Sequence, residues 1–316
     1  MDMDVNLTRP DSFVLLGLTT NSFIQRLLFV LFSLIYTCSF LSNLGLILLI
    51  RTFHHLHTPM YFFLSHLSFV DLCYSSTITP KVLADFISDT KSISFIGCAA
   101  QMFSFAVFVI SESYLVTAMA YDRFVAICQP LVYHSIMNKH KCWTMVSGAY
   151  IISFLAAVSH TITIFYFPLC GSHSINHYFC DIPPLLKLMC TYSYLRKLVM
   201  FVVSLFMWLA CVPIILMSYV SIISTVLGIS SAEGRSKAFS TCASHLAVVI
   251  SFYGAAFGIY LQPILGLSWD NASKVFSIFY TVVSPLINPL IYSFKNAEVK
   301  KAITTLLCFD QILRHS

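Results

Sequence analysis

Seven uninterrupted apolar segments divide this sequence, and most of them are about twenty residues or longer. An α-helix needs about 20 apolar residues to cross the hydrocarbon core of a bilayer, so these segments are long enough to span a membrane. The segments between them are too short for a soluble domain of ordinary size. The predicted spans are Leu27–Ile50, Pro59–Pro80, Phe95–Cys128, Cys142–Phe165, Leu195–Leu227, Ala238–Leu261 and Val275–Phe294.

The composition indicates the fold class of these segments. Hydrophobic residues make up 58% of the chain and charged residues 10%, whereas soluble domains are about 25% charged. Within lipid every backbone N–H and C=O must be paired inside the protein, which leaves helices or closed barrels. Barrel strands alternate apolar and polar residues, but these runs are continuous. The sequence therefore predicts an all-α membrane protein, a bundle of seven transmembrane helices.

The expected orientation places the N-terminus outside the cell and the C-terminus in the cytoplasm. The first 25 residues lack the apolar core of a cleavable signal peptide. Asn6 opens a glycosylation sequon, which is used only on the lumenal side. Ten Lys or Arg residues then face the cytoplasm and eight face outward, a weak positive-inside bias. We expect a multi-pass protein of the cell membrane, with residues 1–26 extracellular, 27–294 in the bundle and 295–316 cytoplasmic.

Four of the eleven cysteines are expected near the extracellular surface. Cys98 opens the third span, and Cys170, Cys180 and Cys190 lie in the longest loop. An oxidising compartment favours disulfides between them. Four cysteines allow three pairings, and their positions alone do not choose among the three.

Two carboxylates and an amide lie deep in apolar sequence, where polar groups are costly. Asp71 is in the second span, Glu112 in the third and Asn288 in the seventh. If these side chains face inward, the carboxylates either share a proton or hold a cation such as sodium, because two close carboxylates do not both ionise alone. A hydrogen-bonded packing cluster without an ion is the other interpretation.

The third span ends in an Asp122-Arg123 pair at the expected membrane boundary. The planar guanidinium of Arg123 keeps its charge and is able to exchange partners, which makes it a candidate switch. A snorkelling anchor is the alternative. Glu112 precedes Arg123 by eleven residues, about three helical turns, so both lie on one face of the predicted helix.

The seventh span contains Pro285 and Pro289, which break backbone hydrogen bonds and are expected to bend the helix. The chain then carries Lys295, Lys300 and Lys301 before an apolar pair at 306–307. This pattern predicts a short amphipathic eighth helix lying on the lipids of the anionic cytoplasmic leaflet.

Five ordered motifs in these spans resemble the olfactory (odorant) receptors, of the class II type, within the rhodopsin-like G-protein-coupled receptors. The resemblance runs from about Asn6 to Asn296. Tyr150 departs from it, since the family usually has Trp in the fourth span. The motifs are Leu56–Leu64, Met119–Cys128, Ser218-Tyr219, Lys237–Leu246 and Pro285–Tyr292.

The resemblance implies specific covalent links and partners. It implies the disulfides Cys98–Cys180 and Cys170–Cys190, and it implies that the partner is the olfactory stimulatory G protein, which raises cyclic AMP. The residues that it assigns to the activation switch are Asp122, Arg123, Tyr219, His245, Asn288 and Tyr292.

The ligand cavity is expected between the outer halves of the third, fifth, sixth and seventh spans. Tyr260 and Ser204 carry hydroxyls that suit a polar headgroup. For Val109 and Ile278, ordinary helix packing is an equally good interpretation. The candidates are Phe105, Val109, Ile110, Val203, Ser204, Met207, Tyr253, Phe257, Tyr260, Ile278 and Thr281.

None of these candidates is charged, which restricts the ligand. A charged ligand would lose its hydration without gaining a counter-charge. Phe105 also stands where amine-binding relatives of the family place an Asp. We therefore expect a small neutral odorant such as an ester, ketone, alcohol or terpenoid, bound with micromolar or weaker affinity.

Three other functions fit a membrane chain of this size. Another rhodopsin-like receptor for a small apolar ligand is the nearest. A secondary transporter would favour paired repeats, and an odd number of spans argues against two equal halves. An enzyme would need a metal-spaced His and Glu set or a nucleophile and base, and the spans contain neither. No cofactor other than the sodium ion is expected, and no nucleic acid partner.

Overall fold

A computed structural model describes residues 11–166, 173–188, 194–233, 235, 242, 245–250, 252–254, 270–295 and 298–305. The predictions for Asn6, Cys170, Cys190, Phe257 and Tyr260 lie outside these residues. So does the side chain of Tyr292.

Long helices dominate the described residues, as the apolar runs predict. They are α1 (Ser22–Thr52), α2 (Pro59–Ile87), α3 (Phe95–Cys128), α4 (Lys139–Phe165) and α5 (Tyr194–Leu227). Residues 245–250 and 252–254 form the described part of α6. The last helix, α7, consists of Asp270–Ile278, a π-helical turn at Phe279–Val283, and Ser284–Lys295.

Five of the described helices are long and apolar enough to cross a membrane: α1, α3, α4, α5 and α7. The helix α2 is also long, but His66, Asp71 and several serines lower its hydropathy. Its polar residues face the bundle, where Asp71 and Ser75 are buried. In contrast, α1 and α5 expose large apolar side chains such as Leu34 and Phe206, as expected of surfaces that contact lipid.

The helix α3 lies at the centre of the bundle and contacts α2, α4 and α5. The helix α1 contacts α2 and α7. Side chains cap several helices where the backbone N–H groups have no helical acceptor. Asn21 accepts from the first turn of α1, Ser94 from Gly97 at the start of α3, and Asn138 from Lys141 in α4.

One prediction at a proline needs correction. The helix α2 does not end at Pro80 but continues to Ile87. A proline inside a helix leaves carbonyls of the preceding turn without donors, and the Gln101 amide of α3 donates to the Thr77 carbonyl there at 3.2 Å. In α7 the irregular turn at Phe279–Val283 precedes Pro285, and the helix then runs on through Pro289.

The prediction of an all-α fold is also incomplete, because three short strands form a sheet at one end of the bundle. They are β1 (Ser12–Leu15), β2 (Ser92–Ser94) and β3 (Ser174–Ile175), in the order β2-β1-β3. The strand β1 runs antiparallel to β2 and parallel to β3. In β1, Phe13 and Leu15 are buried and Val14 is exposed, the alternation typical of a half-buried strand. We refer to this end of the bundle as the sheet end.

Candidate functional site

A cavity of about 90 Å³ lies in the half of the bundle nearest the sheet end, between α3, α4, α5 and α6. A water molecule needs about 10–15 Å³ measured in this way, so the space suits a ligand of roughly six to nine non-hydrogen atoms. Its described lining is Met102, Phe105, Ala106, Val109, Ile110, Ser113, His160, Ile182, Ser204, Met207, Trp208, Cys211, Phe252 and Tyr253.

Six of the eleven predicted ligand residues line this cavity: Phe105, Val109, Ile110, Ser204, Met207 and Tyr253. Val203 packs beside it, against a cluster formed by α3 and α4. Ile278 and Thr281 on α7 do not line it. Thr281 instead donates to the Ser277 carbonyl at 2.7 Å. It also shares a hydrogen bond of 2.9 Å with the Tyr178 hydroxyl, which belongs to the loop at 173–188.

Sequence reasoning missed the contribution of α4 to the cavity. His160 projects from α4 and is 4% exposed. Ala156 and Ala157, one turn earlier, pack closely against Ala106 and Ile110 of α3. A signal was present, because His160 is the only ionisable side chain between Trp143 and Phe165 apart from the Tyr150 phenol. The other lining residues missed are Met102, Ala106, Ser113, Ile182, Trp208, Cys211 and Phe252.

The cavity is apolar and, over its described lining, carries no Asp, Glu, Lys or Arg. Two of its hydroxyls already have partners. The Ser113 hydroxyl donates to the Ile110 carbonyl at 2.6 Å. The Tyr253 hydroxyl of α6 donates to the Ser113 carbonyl at 3.0 Å and lies 3.1 Å from the Thr117 hydroxyl, so it joins α6 to α3.

A loop at 173–188 covers the sheet end of the bundle. The Cys98–Cys180 disulfide ties it to the start of α3, which confirms that pairing, and Phe179 packs on Phe105. Burial raises the pKa of Asp181 to about 6, against hydrogen bonds from Tyr280 and the Ile182 backbone that lower it. Burial lowers the pKa of His177 to about 3, and the nearby Lys274 adds to this effect.

The structure brings together the three polar residues that sequence placed inside the membrane. The Asn288 amide donates to Asp71 Oδ2 at 3.1 Å and to Glu112 Oε1 at 3.2 Å. All three side chains are buried, and Asp71 Oδ1 and Glu112 Oε2 have no hydrogen-bond partner among the described residues. Two buried carboxylates this close need a shared proton or a cation. The described residues contain no larger His, Cys, Asp or Glu group suited to a metal.

The predicted switch residues lie at the opposite end of α3. Arg123 Nε donates to Asp122 Oδ2 at 3.1 Å, and the Tyr133 hydroxyl donates to Asp122 Oδ1 at 2.7 Å. Tyr219 of α5 and His245 of α6 form a buried hydrogen bond. Arg123 is close enough to act electrostatically on both of them.

Comparisons with known proteins show which sequences this chain resembles. A family model described as "Olfactory receptor" matches residues 32–310. Olfactory receptor 5G9 of Mus musculus is 48% identical over 300 residues, 95% of each chain. Olfactory receptor 8D1 of Homo sapiens is 48% identical over 302 residues, 96% of this chain and 98% of that one. Olfactory receptor-like protein COR4 of Gallus gallus is 47% identical over 302 residues, 96% of both.

Proposed function

This chain belongs to the olfactory receptor family, and we propose that it binds small neutral volatile compounds in the cavity between α3, α4, α5 and α6. The family is one of membrane receptors and not of enzymes. The observation that carries the proposal is the uncharged, largely apolar lining of a cavity of about 90 Å³. An ammonium or carboxylate ligand would find no counter-charge there.

The proposed topology has seven membrane spans, an extracellular sheet end and a cytoplasmic Arg123 end. The Cys98–Cys180 disulfide at the sheet end supports it, because disulfides persist in oxidising compartments. At the other end, residues 298–305 are helical, with Val299 and Ala302 buried and Lys300 and Lys301 exposed. Such a helix suits the surface of an anionic leaflet.

Activation is proposed to run from the cavity to Arg123 through α6. Tyr253 borders the cavity and bonds α6 to α3, while His245 on the same helix bonds to Tyr219 near Arg123. A ligand that favours a displaced α6 would shift the receptor population toward that arrangement. Release of Arg123 from Asp122 would then open a cytoplasmic cleft for a stimulatory, olfactory-type heterotrimeric G protein, and cyclic AMP would rise.

A sodium ion beside Asp71 and Glu112 is a further part of the proposal. Each carboxylate has one oxygen without a hydrogen-bond partner in the described structure, and Asn288 holds the two groups near each other. Carboxylate oxygens suit a hard cation. A monovalent ion there would neutralise part of the charge and stabilise the packing of α2, α3 and α7.

The test is a screen of chemically diverse volatiles on cells that express this chain, with cyclic AMP as the readout. Arg123→Ala is the matched variant, and it should reach the cell surface yet give no cyclic AMP. Retained signalling in that variant would refute the role of Arg123. A permanently charged amine as best agonist would refute the neutral cavity, and substrate flux without cyclic AMP would identify a transporter.

A further inference from the structure

His160 lines the cavity and has a ring nitrogen without a hydrogen-bond partner in the described structure. Its imidazole is 4% exposed, and Nδ1 has no hydrogen-bond partner among the described residues. A buried polar atom without a partner is costly, so proteins seldom retain one without a ligand or water to satisfy it. The same residue lines the cavity.

The other polar groups on the α3 and α6 walls are already engaged. The Ser113 hydroxyl donates within α3, and the Tyr253 hydroxyl bonds to the Ser113 carbonyl and to Thr117. A ligand that bonded to Tyr253 would compete with these contacts. Ser204 on α5 also lines the cavity, and His160 on α4 offers a hydrogen bond that a ligand gains without breaking an existing one.

We propose that His160 binds the polar group of the ligand, and that small alcohols and phenols are therefore the preferred ligand class. This inference rests on the proposed function of the cavity. A neutral imidazole has one N–H donor and one bare acceptor nitrogen, and either nitrogen can carry the proton. A hydroxyl donates and accepts, so it satisfies Nδ1 in both cases. A ketone or ester only accepts, and a hydrocarbon does neither.

The rest of the lining suits the carbon skeleton of such a ligand. Met102, Phe105, Ile110, Met207 and Phe252 surround the space with apolar surface. The cavity volume of about 90 Å³ suits a skeleton of heptanol size.

The experiment compares compounds that share one skeleton and differ in functional group. Heptan-1-ol, heptan-2-one, heptane and heptanoate form a linear set, and 4-methylphenol with 4-methylbenzaldehyde and p-xylene forms an aromatic set. The receptor and its His160→Leu variant are assayed for cyclic AMP and, after purification, for the thermal shift that each compound produces. The thermal shift reports binding without the G protein.

In the unaltered receptor, the alcohol or phenol of the responding set should act at about 5-fold lower concentration than its carbonyl partner. His160→Leu should raise the alcohol concentration needed by about 5- to 10-fold. The ratio of the effective alcohol concentration to the effective carbonyl concentration should then be close to one. His66→Leu makes the same chemical change outside the cavity and should leave the ratio unaltered. His160→Gln, which keeps a donor and an acceptor, should preserve part of the preference.

If His160 had only a structural role, its replacement would lower the thermal stability of the receptor. The ligand-binding role predicts instead that His160→Leu without ligand is as thermally stable as the unaltered receptor or more so, because it removes an unmet buried hydrogen bond. Three results would each overturn the inference and leave the proposed function standing. They are equal potency of carbonyl and hydroxyl compounds, a preference for heptanoate, and an unaltered ratio of carbonyl to hydroxyl potency in His160→Leu. Absence of both signalling and thermal shift with any volatile would overturn the proposed function, and this inference with it.

Discussion

The Tyr280 hydroxyl of α7 donates a hydrogen bond of 2.8 Å to the carboxylate of Asp181, which follows the disulfide-bonded Cys180 in the covering loop. The carbonyl of Tyr280 accepts a bond of 3.0 Å from the Tyr74 hydroxyl of α2. Both contacts are made at the π-helical turn of α7, where the backbone is irregular. The loop, α7 and α2 are thus joined at one residue, and the ionisation of Asp181 should affect how firmly the loop is held.

Acidification should strengthen the contribution of Asp181 to stability. Its pKa rises from an ordinary 3.8 to about 6 in the folded receptor because of burial. A raised carboxyl pKa stabilises the fold at pH below 3.8, and this contribution is lost as the pH rises through about 6. Asp181→Asn should therefore lose stability, relative to the unaltered receptor, when the pH falls from about 7 to about 5. Thermal unfolding of the purified protein measures the difference.

His177 supplies the matched comparison, because its contribution has the opposite sign. Its pKa falls from 6.5 to about 3, so its contribution is present above 6.5 and is lost as the pH falls toward about 3. His177→Phe should gain stability relative to the unaltered receptor over the same acidification. Parallel pH profiles for both variants and the unaltered receptor would contradict these assignments.

Tyr133→Phe should raise the basal cyclic AMP level. The Tyr133 hydroxyl helps to hold the Asp122 carboxylate that binds Arg123. Loss of a hydrogen bond worth about 1 kcal/mol should shift the equilibrium toward released Arg123 by about 5-fold. Tyr121→Phe removes a hydroxyl nearby on α3 and should leave the basal level unchanged. An unaltered basal level in Tyr133→Phe at equal surface expression would show that this bond does not restrain the switch.

Tyr253→Phe should also raise basal signalling, by about 3- to 5-fold, because it removes the bond from α6 to the Ser113 carbonyl and to Thr117. Tyr114→Phe is the matched control. The Tyr114 hydroxyl is buried and has no hydrogen-bond partner in the described structure, so its removal should not lower thermal stability. If Tyr253→Phe leaves basal cyclic AMP as it was, the interhelical bond is not part of the switch.

Sodium should stabilise the purified receptor relative to choline at the same ionic strength. The expected gain is about 1 kcal/mol, or roughly 2 °C in Tm, if the ion concentration exceeds its dissociation constant a few-fold. Asp71→Asn should abolish the difference between the two salts. Asp85→Asn, the same change at a Lys81-paired carboxylate on the same helix, should retain it. Equal Tm in both salts for the unaltered receptor would favour the ion-free packing cluster.

The covering loop illustrates what sequence alone left open. Three pairings of four cysteines were equally acceptable by position, and the family resemblance was needed to choose Cys98–Cys180. The strand β1 has only the four residues Ser12–Leu15 and pairs with residues about 80 and 160 positions away along the chain. Short alternating segments carry little signal by themselves, because their stability comes from partners that are distant in sequence.

The helical architecture, the polar cluster of Asp71, Glu112 and Asn288, and the absence of charge from the predicted ligand residues were determined by the sequence. Lipid leaves the backbone of a long apolar run no stable alternative to a helix, and it makes each buried carboxylate conspicuous. Only the tertiary structure decided that His160 enters the cavity, that Thr281 turns to Tyr178, and that α2 continues past Pro80. These outcomes depend on which neighbouring helix supplies a side chain or a hydrogen bond, and spacing along one helix does not contain that information.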